Sequence, residues 1–337
     1  MSRGSAEDGN LGFPLVDPNR RGLLSRYDVD GCFPRAEFLR MLTPWLVGLA
    51  VLVAAVGAYR RYRKFAKRRR AAAFATYGYE VREFQLPRDG RVQYAQWLHP
   101  QETPKILQQA DVDAVREYVQ PGDFVIDIGA HSGDTTLPFA LAAGPTGCVL
   151  ALEPNPYVFE ILQANARLNP DRTHIQPLCL AATEDDGEFT FHYSDGAFCN
   201  GGFLSQLPNG TSNHLAPLKV QGRNFDRLLR AEYADRLPRW KLLKVDTEGY
   251  DRQVLASLRR LIEKYQPIIV CEVLGVLDAD ARAALFDELA TAGYDCFKRE
   301  ETGPLRGVSI ARDEMNRWKH FDMLAIPRKV AKAGVAA

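Results

Sequence analysis

Apolar and polar positions change period several times along the chain, and each change marks an element. Residues 77–97, YGYEVREFQLPRDGRVQYAQW, alternate in part and turn at Asp89-Gly90, which predicts a β-hairpin. In KILQQADVDAVREYV, residues Ile106, Leu107, Ala110, Ala114, Val115 and Val119 recur at helical spacing and predict a helix that packs on the sheet to follow. Short apolar runs then alternate with amphipathic ones: FVIDIG, a helix from Asp134, CVLALEP, the helix PYVFEILQANARLN, and a strand in IQPLCLAA. Further on come LLKVD, RQVLASLRRLIEKY, PIIVCEV, ADARAALFDELATAG, YDCFKRE and FDMLAIP. This order predicts an α/β fold, a mainly parallel Rossmann-like sheet with helices on both faces. Ligands of such folds gather at the carboxyl ends of the strands.

A different pattern precedes this region. From Met41 to Tyr59, MLTPWLVGLAVLVAAVGAY holds 19 uncharged residues, about 28 Å as a helix and close to the roughly 30 Å hydrocarbon core of a bilayer. Trp45 and Tyr59 lie near its ends, where amphipathic rings favour the interface. Eight basic residues and no acid follow between Arg60 and Arg70, whereas residues 1–40 carry six of each sign. A cleavable signal peptide has its charge before the apolar stretch rather than after it. The charge excess therefore predicts one transmembrane helix with residues 60–337 in the cytoplasm, and a basic block able to hold anionic membrane lipid. A buried core helix is the alternative for residues 41–59. The expected organisation is a flexible segment over 1–40, a transmembrane helix over 41–59, a polybasic juxtamembrane linker over 60–75 and an α/β domain over 76–330.

Composition narrows the function. With 46% hydrophobic residues the 337-residue chain can bury a sizeable core. The net charge is +1, and without the basic block acids outnumber bases, so the main body does not attract phosphate backbones and no nucleic-acid partner is expected. Six scattered cysteines without a CxxC pair read as free, mostly buried thiols of a reducing compartment.

The candidate chemistry begins at DFVIDIGAHSGD. Gly129-Ala130-His131-Ser132-Gly133 lacks the middle glycine of a GxGxxG dinucleotide loop, and no GxxxxGKS/T loop occurs anywhere. What is present is an acid inside the strand, Asp127, an open glycine turn, and Glu153 at the end of CVLALEP, where a carboxylate can accept both hydroxyls of a ribose. A ligand with a ribose but no pyrophosphate fits. S-adenosylmethionine is such a ligand, and its cationic groups suit neighbouring acids.

In VIDIGAHSGDTTLPFA, LALEPNPYVFEILQANARLN, NFDRLL, LLKVDTEGYDRQVLASL and PIIVCEV, in that order, the chain resembles the FkbM-type S-adenosylmethionine-dependent methyltransferases, with KVDTEG the most distinctive block. The resemblance covers residues 121–275 and leaves residues 1–75 outside. It implies a class I methyltransferase fold for the 76–330 domain, O-methylation of a hydroxyl, and S-adenosylmethionine as cofactor. Carried over, it implies that Asp127, Gly129, Ala130, His131 and Gly133 line the methionine and ribose side, and that Glu153 takes the ribose hydroxyls. Asn155 is either an adenosine contact or a cap of the helix that Pro156 starts.

Methyl transfer to an alcohol needs the acceptor in line with the methyl group and a route for the hydroxyl proton. Asp246, Glu248 and Glu272 stand at neighbouring strand ends and are the candidate catalytic carboxylates, with His131 as a second candidate base. Other readings stand beside these: a solvated turn with Asp251 capping the next helix, a backbone-bonded His131, or a divalent cation on the three acids. Residues 194–214, rich in Gly, Asn and Ser, are expected to cover the acceptor, with Phe198, Asn200 and Phe203 as contacts; the sequon at Asn209 is silent in a cytoplasmic domain. The expected substrate is a hydroxyl-bearing small molecule, glycan or glycolipid. The competing functions are a nicotinamide-dependent oxidoreductase and a tethered scaffold without activity.

Overall fold

The structure, a computed structural model, describes residues 43, 47–49, 51–63, 75–193, 203–204, 216–300 and 304–329. The chain divides into two units, Met1–Phe65 and Ala66–Ala337. In the first unit the described residues 43, 47–49 and 51–63 are helical, and Val51, Leu52, Val53, Val56 and Tyr59 are exposed. Residues 41, 42, 44–46 and 50 of the expected transmembrane span lie outside the described residues, as do segment 1–40 and residues 64–74. Among the described residues no helix is long and apolar enough to cross a membrane.

The second unit opens with the expected hairpin, β1 (Tyr79–Leu86) and β2 (Gly90–Trp97), and a helix α1 (Gln109–Arg116) shorter than the apolar spacing suggested. There follow β3 (Phe124–Ile128), α2 (Thr136–Ala143), β4 (Cys148–Leu152), α3 (Pro156–Arg167), β5 (Ile175–Leu178), β6 (Ala181–Thr183), β7 (Gly187–Tyr193), β8 (Phe203–Leu204) and β9 (Ala216–Asn224). The chain continues through α4 (Phe225–Glu232), β10 (Trp240–Val245), α5 (Asp251–Tyr265), β11 (Ile268–Val273), α6 (Ala279–Thr291), β12 (Tyr294–Arg299), β13 (Arg306–Ser309) and β14 (Phe321–Pro327).

The central sheet has the order β13-β12-β14-β11-β10-β3-β4-β5. Strands β5, β4, β3, β10 and β11 run parallel, and β14 inserts antiparallel between β11 and β12. The chain moves outward from β3 through β4 to β5, then returns to lay β10 on the other side of β3. The order thus reverses between β3 and β10, and a crevice opens at their carboxyl ends.

Both faces of β3 and β4 are buried, which is why they read as unbroken apolar runs. Ile126, Ile128, Leu150 and Leu152 point into a core with Phe225, Leu255, Leu258 and Ile262, whereas Val125, Val149 and Ala151 meet Val115, Phe139 and Ala140. Each such aliphatic side chain contributes about 1.5–3 kcal/mol by leaving water. The helix ends follow local chemistry: the Asn155, Asn224 and Asp278 side chains accept from backbone N–H groups at the starts of α3, α4 and α6.

The strand expected in IQPLCLAA is two strands. β5 is the edge of the central sheet, where Pro177 costs no pairing, and β6 joins a second sheet of order β6-β9-β7-β8. Of the cysteines, Cys148, Cys271 and Cys296 are buried free thiols, while Cys179, at the break after β5, is exposed.

Candidate active site

A cavity of about 280 Å³ opens where β3, β4 and β10 end. Of the candidate residues, Gly129, His131, Glu153, Asp246 and Glu248 line it. The glycine turn is shaped by its neighbours. Gly129 has φ +80°, and a Cβ there would lie 1.9 Å from the Asp246 carbonyl oxygen. Its missing side chain is thus already required by the backbone that follows the neighbouring strand. The Gly129 and Ala130 N–H groups both donate to the Leu152 carbonyl, at 3.0 and 2.9 Å, which locks the turn onto β4. His131 lies in the left-handed region, φ 50°, an uncommon conformation for a residue with a side chain. That conformation lets its N–H donate to Glu153 Oε2 at 3.1 Å, while the Asn155 N–H donates to Oε1 at 2.8 Å.

Glu153 is therefore held by two backbone donors, each oxygen keeping a lone pair. Burial pushes its pKa up to about 7 against the pull of those donors. Burial likewise lowers the pKa of His131, more than nearby Asp134 raises it, so its imidazole is neutral at neutral pH; its Nε2 is buried with no hydrogen-bond partner among the described residues.

Five expected site residues do not line this cavity. Asp127 is fully buried inside β3, where Oδ2 accepts from the hydroxyls of Thr135 (3.2 Å) and Thr136 (2.6 Å); it anchors the start of α2. Ala130 belongs to the apolar core. A Cβ at Gly133 would meet Leu162 Cδ1 at 3.1 Å, so this glycine serves helix packing. Asn155 caps α3, accepting from the Tyr157 N–H at 2.9 Å, as the Asn-Pro pair predicts. Glu272 lies apart within β11, with Oε1 3.4 Å from His320 Nε2 and Oε2 without a hydrogen-bond partner among the described residues. Burial raises its pKa, as do the charges of Asp246 and Glu248. Among the described residues no three His, Cys, Asp or Glu side chains are placed to hold a metal ion. Phe198, Asn200 and most of the expected covering segment lie outside the described residues.

Lys244, the first residue of KVDTEG, organises the crevice. Sheet register sets it opposite Asp127, and its ammonium reaches Gly129 O (3.0 Å), Asp246 Oδ2 (3.2 Å) and Asp127 Oδ1 (3.4 Å). Burial disfavours its charge, but Asp246 and Asp127 outweigh burial and raise its pKa. Asp246 itself keeps its side chain 40% exposed, open to the cavity.

Glu248 follows with φ 54°, in a turn closed by Asp251, whose Oδ2 accepts from Gly249 N (3.1 Å) and Thr247 Oγ1 (3.2 Å). Asp251 is thus the first residue of α5 and closes the preceding turn; the cap position belongs to Tyr250. Burial, then the Asp246 charge, pushes Glu248 up to about 7. Phe191 and Tyr193 of β7 also line the cavity. Sequence reasoning missed this strand, whose one signal is the alternation in FTFHY. Glu102, Lys105 and Asp134 complete the charged wall.

Residues 127–296, half of the chain, match the methyltransferase FkbM domain. The chain belongs to the FkbM methyltransferase family. It is an S-adenosylmethionine-dependent methyltransferase, which sets aside the nicotinamide oxidoreductase. It is also 32% identical over 85 residues to a protein-L-isoaspartate O-methyltransferase of Triticum aestivum; the match covers 25% of this chain and spans about a third, 33%, of that curated relative. Among solved structures it is similar to the methyltransferase FkbM of Methylobacillus flagellatus KT (15% identity, 64% of this chain and 51% of that one, TM-score 0.35). It is also similar to an O-methyltransferase of Thermotoga maritima (12%, 74% and 78%, 0.36).

The cavity of this FkbM-family chain fits the cofactor. Glu153 presents a seated carboxylate, apolar side chains from β6 and β7 form part of the wall, and five carboxylates face two lysines, a surplus that suits a cation.

Proposed function

We propose that this FkbM-family chain is a membrane-anchored O-methyltransferase acting on a hydroxyl, in a glycan or glycolipid at the cytoplasmic face of a membrane. The observation that carries the chemistry is a partly exposed Asp246, oriented by Lys244, on the same cavity wall as Glu153. The cofactor supplies a methyl group made electrophilic by its sulfonium. Glu153 binds the ribose hydroxyls, the 129–131 turn bounds the crevice, and Lys244 fixes the Asp246 carboxylate. Asp246 then orients the acceptor hydroxyl and takes its proton, with the neutral His131 imidazole as the second candidate acceptor of that proton.

The anchor is supported by the uncharged run over 41–59, by the polybasic block after it, and by apolar side chains exposed around the helix over 51–63. The cytoplasmic placement of the catalytic domain follows from that charge bias. The test is incubation of the purified full chain with extracted membrane lipids and methyl-labelled S-adenosylmethionine. A labelled lipid with a new methyl ether supports the proposal. Label confined to protein carboxyl groups, or cofactor binding without transfer, refutes it.

A further inference from the structure

The cavity wall has two chemical characters. Pro154, Leu180, Ala182, Phe191 and Tyr193 are apolar or aromatic, whereas Glu102, Lys105 and Asp134 form an ion cluster. The Lys105 ammonium lies 3.2 Å from Glu102 Oε1 and 2.9 Å from Asp134 Oδ2. The Glu102 side chain is 4% exposed, and those of Lys105 and Asp134 are 31% exposed. Two carboxylates thus share one cation that still has an open side. A tether between the segment before α1 and the start of α2 needs one acid; the second leaves the cluster net negative at a cavity wall. His131, on the same wall, is within electrostatic reach of both acids, and its buried Nε2 has no hydrogen-bond partner among the described residues.

A ligand that satisfies such a wall brings a cation and an anion together. Of the parts of S-adenosylmethionine, only the amino-acid end does so: the adenine and the ribose are uncharged, and the sulfonium carries a positive charge alone. We propose that Lys105, Glu102 and Asp134 receive the amino-acid end of the cofactor, Lys105 pairing with its carboxylate and the two acids with its ammonium. The inference rests on the reading that the cofactor occupies this cavity. Glu102 and Lys105 precede residues 127–296, so the chain ahead of the matched domain completes the cofactor site. Lys105 and Asp134 also form part of the wall of a second cavity of about 220 Å³.

The test compares two ligands that differ at that end. S-adenosylhomocysteine retains the amino acid and 5′-methylthioadenosine lacks it. Calorimetry on the full chain is expected to show wild-type protein preferring the former. Lys105→Met keeps the apolar stem and removes the charge. It should weaken S-adenosylhomocysteine at least about tenfold while leaving methylthioadenosine within about twofold, as loss of one charged hydrogen bond implies. Retained methylthioadenosine binding also certifies the fold. Glu102→Gln should act in the same direction. Equal loss for both ligands, or no loss for either, overturns the clamp and leaves a tether. Wild-type protein that binds neither ligand overturns the cofactor reading along with it.

Discussion

The carboxylates of Glu153, after β4, and Glu272, inside β11, are both buried near the carboxyl edge of one sheet, and burial raises the pKa of both. Their surroundings differ. Two backbone N–H groups, from His131 and Asn155, seat both oxygens of Glu153 at the cavity wall. Glu272 has His320 against one oxygen, no donor on the other among the described residues, and does not line the cavity that Glu153 faces. A buried acid becomes a ligand seat where the backbone has already solvated its charge and a void adjoins the remaining lone pairs; without those it is held protonated. Between them, Asp246, just after β10, is partly exposed and paired with Lys244 at 3.2 Å, which orients its carboxylate toward the cavity.

The sharpest way to break this comparison is to neutralise the central acid. Asp246→Asn should leave S-adenosylhomocysteine affinity near normal in calorimetry and lower the methyl-transfer rate by ~10²–10⁴, the span of a lost general base. Turnover that survives in Asp246→Asn but disappears in His131→Gln would transfer the role to His131.

Next in size is the seat itself. Glu153→Ala removes two charge-assisted hydrogen bonds to the ribose, each worth about 1.5–3 kcal/mol, so affinity should fall by about 10²-fold or more. A folded variant with unchanged affinity would take Glu153 out of the ribose site.

A third effect is on stability. Gly129→Ala should lower the melting temperature of the cofactor-free protein, because its Cβ meets the Asp246 carbonyl. Unchanged melting with lost cofactor binding would restore the ligand-contact explanation.

The pH dependence has a definite sign. Glu153 and Glu248 rise from 4.5 to about 7, and Asp251 from 3.8 to about 7, so each binds its proton more tightly in the folded state. Their contribution to stability is complete below pH ~4 and is lost as pH rises through about 7. The melting temperature should therefore fall between pH 5 and pH 8, and Glu153→Gln should shrink the drop. The smallest expected change is that of Glu272→Gln, which should alter cofactor affinity by less than about twofold. A larger loss would make the two glutamates equivalent.

Local patterns in the sequence determined most of the fold. Period-two and helical spacing are set by neighbours a few residues apart, so β1 and β2, the parallel strands and α3, α5 and α6 were legible, as were the Asn-Pro cap of α3 and the acids at the strand ends. The family block KVDTEG identified the chemistry for the same reason, being contiguous. Tertiary structure alone decided what each strand end faces. The register of β10 against β3 sets Lys244 beside Asp127 and makes Gly129 obligatory through a carbonyl 117 residues away in sequence. The edge position of β5 splits one apolar run between two sheets and brings Phe191 and Tyr193 to the cavity. Glu102 and Lys105 reach the wall from outside the matched domain. Such placements depend on strand order and on where a void is left, and a pattern of near neighbours carries neither.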